Sequence, residues 1–199
     1  MNPTERQAAW EEVSATYADR RDPDGSDADL IDDLLNHCGS DPTIVDIGCG
    51  DGARTLANLP ADSIGVDFAH NGLSLAADTV PDARLAQADM RHLPLAESVA
   101  DGLTAYHAIF HVPRAQQPAV YAEFGRLLRS GGVMLSTLPG GRFETVRRGW
   151  MGGEMFFSAP GRDQTLEQLR AANFEIIATP RATDPLGSST EFVLAEYTG

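Results

Sequence analysis

Lysine is absent from this chain. All fifteen basic residues are arginines, set against twenty-nine acidic residues for a net charge of −14. A surface of that sign repels the phosphate backbone of nucleic acids and the headgroups of anionic membranes, so neither is an expected partner. Aspartates crowd the first third of the chain, at Asp19, Asp22, Asp24, Asp27, Asp29, Asp32 and Asp33. Concentrated salt screens the self-repulsion of such a surface, and the missing lysine points to a halophilic protein rather than a merely well-solvated acidic one. Cysteine is scarce too. Cys38 and Cys49 form no CxxC pair and no Cys/His cluster, so no zinc or other metal site is expected and both should be free thiols. No apolar run approaches the roughly 18 residues that span a bilayer. The opening Met1-Asn2-Pro3-Thr4-Glu5 lacks the basic start and apolar stretch of a secretory leader, so a cytoplasmic location is expected.

The 199 residues, 42% of them hydrophobic, suit one domain over 1–199, with 1–40 as an N-terminal helical cap and 41–199 as the core. In the cap, Trp10, Val13 and Tyr17 recur at helical spacing. A charged break follows over 20–27, and Leu30, Ile31, Leu34 and Leu35 resume the pattern until about Gly39. Beyond it, β-type runs at 43–47, 63–67, 84–88, 102–106 and 133–138 alternate with helix-like stretches at 53–59, 71–79 and 115–129. That alternation implies an α/β fold, a parallel sheet covered on both faces, with ligands at the carboxyl ends of its strands. The tail differs. A helix near 164–172 leads to runs at 175–179 and 191–197 with no helix between them, so these two strands should be antiparallel.

The segment Val45-Asp46-Ile47-Gly48-Cys49-Gly50-Asp51-Gly52 ends the first run and should open a helix. Its glycines permit a tight turn and close approach of a ligand to the backbone. Gly48, Gly50 and Ala53 also satisfy the dinucleotide fingerprint G-x-G-x-x-G/A, with Asp67 at the expected distance, which keeps an NAD(P)-dependent oxidoreductase open. Asp46 weighs against it. A carboxylate facing the ligand repels a pyrophosphate and attracts a sulfonium or ammonium cation. Asp67, followed by Phe68, can accept from two ribose hydroxyls, and Asp89, followed by Met90, can accept from an adenine amine with Met90 against the ring.

On these residues the chain resembles the class I S-adenosylmethionine-dependent methyltransferases, and within them the small type 11 group. The matching pieces are residues 46–52, Gly65-Val66-Asp67, Ala88-Asp89-Met90 and residues 127–133. The resemblance implies a Rossmann-like, doubly wound sheet of seven strands in the order 3-2-1-4-5-7-6, the seventh antiparallel. It also implies that Asp46, Gly48 and Gly50 contact the methionine portion, Asp67 the ribose and Asp89 the adenine, with Phe68 and Met90 among the cofactor-binding residues. Tyr17 and Arg21 resemble the residues that close over the methionine portion, and Tyr106 belongs to the segment beside the methyl donor.

Methyl transfer from a sulfonium needs alignment more than acid–base chemistry, and a base only where the acceptor must lose a proton. His107, after the fourth β-run, is the candidate base because imidazole titrates near neutrality; alternatively His107 and His111 only shape the pocket. Residues 140–160, with Arg142, Arg147, Arg148, Trp150, Met151, Met155, Phe156 and Phe157, are either an insertion packed on the core or a wall facing the acceptor. The expected partner is a small-molecule acceptor, and the protein a monomer or homodimer that turns S-adenosylmethionine into S-adenosylhomocysteine. A non-catalytic S-adenosylmethionine-binding protein on the same fold is the alternative from another class.

Overall fold

A computed structural model describes every residue except 23, 24, 27, 184, 185 and 188, so Asp24 and Asp27 of the acidic run and part of the segment between the two tail runs lie outside the described residues. The chain opens with α1 (Pro3–Arg20), started by a capping box. The Asn2 side chain accepts from the Glu5 amide at 2.9 Å, and the Glu5 carboxylate accepts from the Asn2 amide at 2.7 Å. Next come α2 (Asp29–His37), β1 (Ile44–Ile47), β2 (Ile64–Asp67), α3 (His70–Thr79), β3 (Arg84–Gln87) and β4 (Ala100–Ala105). Then α4 (Gln117–Leu127) runs directly into β5 (Leu128–Thr137). The C-terminal part holds β6 (Arg142–Trp150), β7 (Gly153–Pro160), α5 (Arg162–Ala171), β8 (Phe174–Ala178), β9 (Arg181–Thr183) and β10 (Ser189–Tyr197).

The main sheet runs β3-β2-β1-β4-β5-β10-β8, with β9 paired to β10. Strands β3, β2, β1, β4 and β5 are mutually parallel, and β10 is antiparallel to both β5 and β8. Counting β8 as the sixth strand in chain order and β10 as the seventh, this is the order 3-2-1-4-5-7-6, an α/β Rossmann-like sheet. Both faces are covered. One packs Val45, Ile47, Leu103 and Val193 against Val120, Phe124 and Leu127 of α4 and Leu166 and Leu169 of α5. The other packs Ile44, Val133, Leu135 and Phe192 against Leu30, Ile31 and Leu34 of α2. Alternation along a strand decides which face each residue meets, and a parallel sheet buried on both faces explains the near-continuous apolar runs.

Three elements differ from the sequence expectation. No α-helix follows the glycine turn: residues 51–55 are turns, and 56–58 make one short 3-10 turn. Residues 140–160, where the sequence reading places no strand, form an antiparallel β6–β7 hairpin with a sheet of its own, because β-branched and aromatic residues line it and its reversal falls at Met151-Gly152, both with positive φ. The cap also divides. α2 packs on a sheet face, and α1 alone crosses the carboxyl edge, touching α3 and β7.

Candidate active site

A cavity opens at the carboxyl ends of β1, β2 and β4, beside the segment that follows β3. The glycine turn forms its floor. Gly48 (φ 77°) and Gly50 (φ 56°) lie in the left-handed region, and a Cβ on Gly48 would stand 2.4 Å from the Ala108 Cβ. Only glycine satisfies both demands at position 48. The Gly48 and Cys49 amides donate to the Val66 carbonyl at 2.7 and 3.1 Å, which ties the turn to the end of β2.

Asp67 lines this cavity together with Phe68. One of its carboxylate oxygens accepts from the Gly50 amide at 2.9 Å and the other from the Ala69 amide at 2.8 Å. Burial pushes its carboxyl above the ordinary range, against the pull of those amides. Asp89 and Met90 line the cavity beyond β3. Burial works to raise the Asp89 carboxyl, but Arg91, bonded to it through side chain and backbone, and the nearby charge of Arg6 hold it below its usual value.

Asp46 departs from its expected place. Its carboxylate does not face the cavity but lies fully buried beneath the turn, accepting from the Thr104 hydroxyl at 2.7 Å and from the Thr55 hydroxyl. The reason is strand alternation. Asp46 sits within β1, so its side chain projects from a sheet face beside Thr104 of β4 rather than past the strand end. Burial raises its pKa to about 6.

The opposite wall is α1. Arg6, Trp10, Ser14, Tyr17 and Ala18, with Arg21 just after the helix, line the cavity in a stripe at helical spacing. Arg21 pairs with Asp51 of the glycine turn and lies 5.3 Å over the Tyr17 ring. The helix is pinned from the α3 side. The Glu11 carboxylate accepts from the His70 and Asn71 amides at 2.7 and 2.8 Å, and the Gln7 side-chain Nε2 donates to the Phe68 carbonyl at 2.9 Å. Pairing with the second stripe, Gln7 and Glu11, is legible in the sequence only as i,i+4 spacing with no partner named.

The segment after β4 supplies Tyr106, His107, Ala108, His111 and Val112 to the lining. His107 is a non-glycine residue at φ 51°, with its amide donating to the Thr137 hydroxyl at 2.7 Å. Such left-handed residues are uncommon and gather at functional sites. His111 is buried, with its Nδ1 against the Phe156 carbonyl at 2.8 Å, and burial lowers its pKa to about 4. It joins Trp10, Phe110 and Phe157 in an aromatic cluster with ring centres 4.8 to 5.0 Å from the imidazole, and this cluster fastens the β6–β7 hairpin to the cavity wall. Arg147 stacks 4.7 Å over Phe157, and Arg148 pairs with Glu154 at 3.1 Å. Sequence reading missed Arg6, Trp10, Asp51, Arg91 and Val112 as lining residues. For Asp51 and Arg91 the available signal was their position just past a strand-end motif. Among the described residues no cluster suited to a metal ion occurs, and no helix is long and apolar enough to cross a membrane.

Residues 44–132, a little under half of the chain, match the family model described as a methyltransferase domain. A Bacillus subtilis protein provisionally named a 23S rRNA (guanine-N(1)-)-methyltransferase is 28% identical over 121 residues, covering 56% of this chain and 40% of that protein. The chain thus spans less than half the length of that relative. Among solved structures, the 1,6-didemethyltoxoflavin-N1-methyltransferase of Burkholderia thailandensis, crystallised with 1,6-didemethyltoxoflavin and S-adenosylhomocysteine, is 21% identical with a TM-score of 0.70 or better, at 0.73, over 100% of this chain and 92% of its own. A SAM-dependent methyltransferase of Methanosarcina mazei is 17% identical with a TM-score of 0.70, over 83% of this chain and 96% of its own. These two likenesses establish the fold. The methyltransferase match itself rests on residues 44–132.

Proposed function

We propose that the chain transfers the methyl group of S-adenosylmethionine to a small-molecule acceptor, in the cavity between the glycine turn and α1. S-adenosylmethionine supplies an electrophilic methyl group on a sulfonium centre. The observation that carries the reading is Asp67. Asp67 accepts from the Gly50 and Ala69 amides, one on each oxygen, with the Phe68 amide also against it, and a carboxylate with about four lone-pair sites keeps acceptor capacity for a ribose hydroxyl. The glycine floor, which a Cβ at 48 would obstruct, lets the methionine portion approach the backbone. Phe68 and Met90 offer apolar surface on either side of an adenine, and Arg21, fixed by Asp51, stands over the methionine end with Tyr17. Asp46 supports the turn from beneath rather than touching the donor.

The same geometry disfavours the NAD(P) alternative. A dinucleotide pyrophosphate rests on the N-terminus of the helix after the glycine turn, where free amides and the helix dipole offset its charge. Here that helix is absent, and the guanidinium of Arg21 at the turn is already paired with Asp51. A non-catalytic donor-binding protein remains the second reading, because alignment chemistry leaves no mandatory residue. His107, held in its uncommon conformation at the cavity wall, supports catalysis, with its ring as base for an acceptor that must lose a proton.

A small acceptor is supported by the net charge of −14 and by the closure of one side of the cavity by α1. β6 carries only three arginines, Arg142, Arg147 and Arg148, with Arg148 paired to Glu154, too few for the broad basic face that a phosphate backbone needs. The Burkholderia methyltransferase, which acts on a small heterocycle, supports the same choice over the rRNA name of the Bacillus relative. The lysine-free acidic composition supports a setting of concentrated salt. The test is to incubate protein and methyl-labelled donor with total RNA, protein extract and metabolite extract. Label in the metabolite fraction is the expected result; label confined to RNA or protein contradicts the acceptor class, and no label in any fraction favours the non-catalytic reading.

A further inference from the structure

We infer that Arg91 is a positioning residue that fixes Asp89 as a reader of the purine amino group, so that the cavity selects a 6-amino over a 6-oxo purine. The inference rests on the donor reading above and adds a base-selective element to it. Arg91 bonds to Asp89 three times. Its amide and its Nε donate to one carboxylate oxygen at 3.0 and 2.9 Å, and its Nη2 donates to the other at 2.5 Å. Of the roughly four lone-pair sites on a carboxylate, this leaves one, on the second oxygen, among the described residues. Both side chains line the cavity. Arg91 is itself held from the far side, where its Nη1 donates at 2.6 Å to the Gln116 side chain at the start of α4.

A planar guanidinium gripped at both ends fixes the plane of the carboxylate it holds, which a flexible lysine ammonium does not. Burial alone would favour protonation of Asp89, but Arg91 and Arg6 outweigh it. The group is therefore kept acceptor-only, with one site to spare. An exocyclic amine supplies the donor that site needs. A 6-oxo purine sets an oxygen against it, leaving two acceptors unpaired. Without Arg91 the carboxylate is free to turn or to take up a proton, and it then tolerates either base.

The test is titration calorimetry of the full chain with S-adenosylhomocysteine and with S-inosylhomocysteine. Wild type should prefer the amino compound by roughly tenfold to a hundredfold, the range for a hydrogen bond to a charged group. Arg91→Gln should cut that preference to about threefold or less, and Arg91→Lys, which keeps the charge but loses the fork, should fall between. Asp89→Asn, whose amide can turn a donor to the base, should abolish or invert it. An Arg91 with a purely structural role would lower affinity for both compounds in proportion. An unchanged preference in both Arg91 variants, with binding retained, therefore overturns the inference alone. If wild type binds neither compound, the donor reading falls and the inference with it. Should Arg91→Gln lose its far-ultraviolet circular dichroism, the comparison passes to Arg91→Lys with the same two outcomes.

Discussion

Asp46 and Asp67 sit near the ends of adjacent parallel strands, one beneath the cavity and one in it, and His111 shares their burial in the segment after β4. Their ionisation can be followed through stability. His111 has its pKa lowered to about 4, so between the ordinary value near 6.5 and about 4 the unfolded chain takes the proton first, and stability falls as pH falls. Asp46 has its pKa raised to about 6, so between about 6 and its ordinary value near 3.8 the folded chain takes the proton first, and stability rises as pH falls. The two oppose each other. His111→Gln, which retains a donor for the Phe156 carbonyl, should remove only the first. Urea denaturation from pH 7 to 4.5 should then show the wild type losing stability relative to the variant by on the order of 2–3 kcal/mol as the solution is acidified. A difference independent of pH would mean His111 is not held neutral.

At the scale of elements, α1 is a wall held by a latch. Its cavity-facing stripe runs through Arg6, Trp10, Ser14 and Tyr17, while Gln7 and Glu11 bind the start of α3. Glu11→Ala removes both bonds from the His70 and Asn71 amides. Stopped-flow displacement should show S-adenosylhomocysteine leaving about tenfold faster, since a helix docked for a smaller fraction of the time retains ligand less well. Unchanged release would mean that α1 is held by its packing alone. The parallel strands and the antiparallel tail were legible in the sequence because each carries its own periodicity and turn residues. The helix expected at 53–59 was not real: Gly52 and the Thr55–Asp46 bond commit that stretch to turns, a tertiary contact invisible in local pattern. The β6–β7 hairpin was hidden because β6 is mostly exposed and shows no apolar alternation. In the site, Asp67, Asp89 and the glycines could be read from their places at strand ends. The placement of Asp46 could not, because one position along a strand separates a side chain on the sheet face from one beyond its edge.

Over the whole molecule, −14 charges without a lysine imply repulsion that only screening relieves. The melting temperature should climb steeply from low salt into molar potassium chloride, and a flat profile would remove the high-salt setting while leaving the site untouched. Within that acidic envelope, the cavity gathers three arginine-paired or amide-bound acids, Asp51, Asp67 and Asp89, around a glycine floor. That arrangement suits a ribose and a purine without a pyrophosphate between two nucleosides. The most direct test is calorimetric titration in molar salt of S-adenosylhomocysteine and, separately, NAD into the wild type and Asp67→Ala. The account predicts saturable one-site binding of S-adenosylhomocysteine, weakened by about 1–3 kcal/mol in Asp67→Ala, and no heat from NAD. Binding of NAD, with S-adenosylhomocysteine silent, would contradict it.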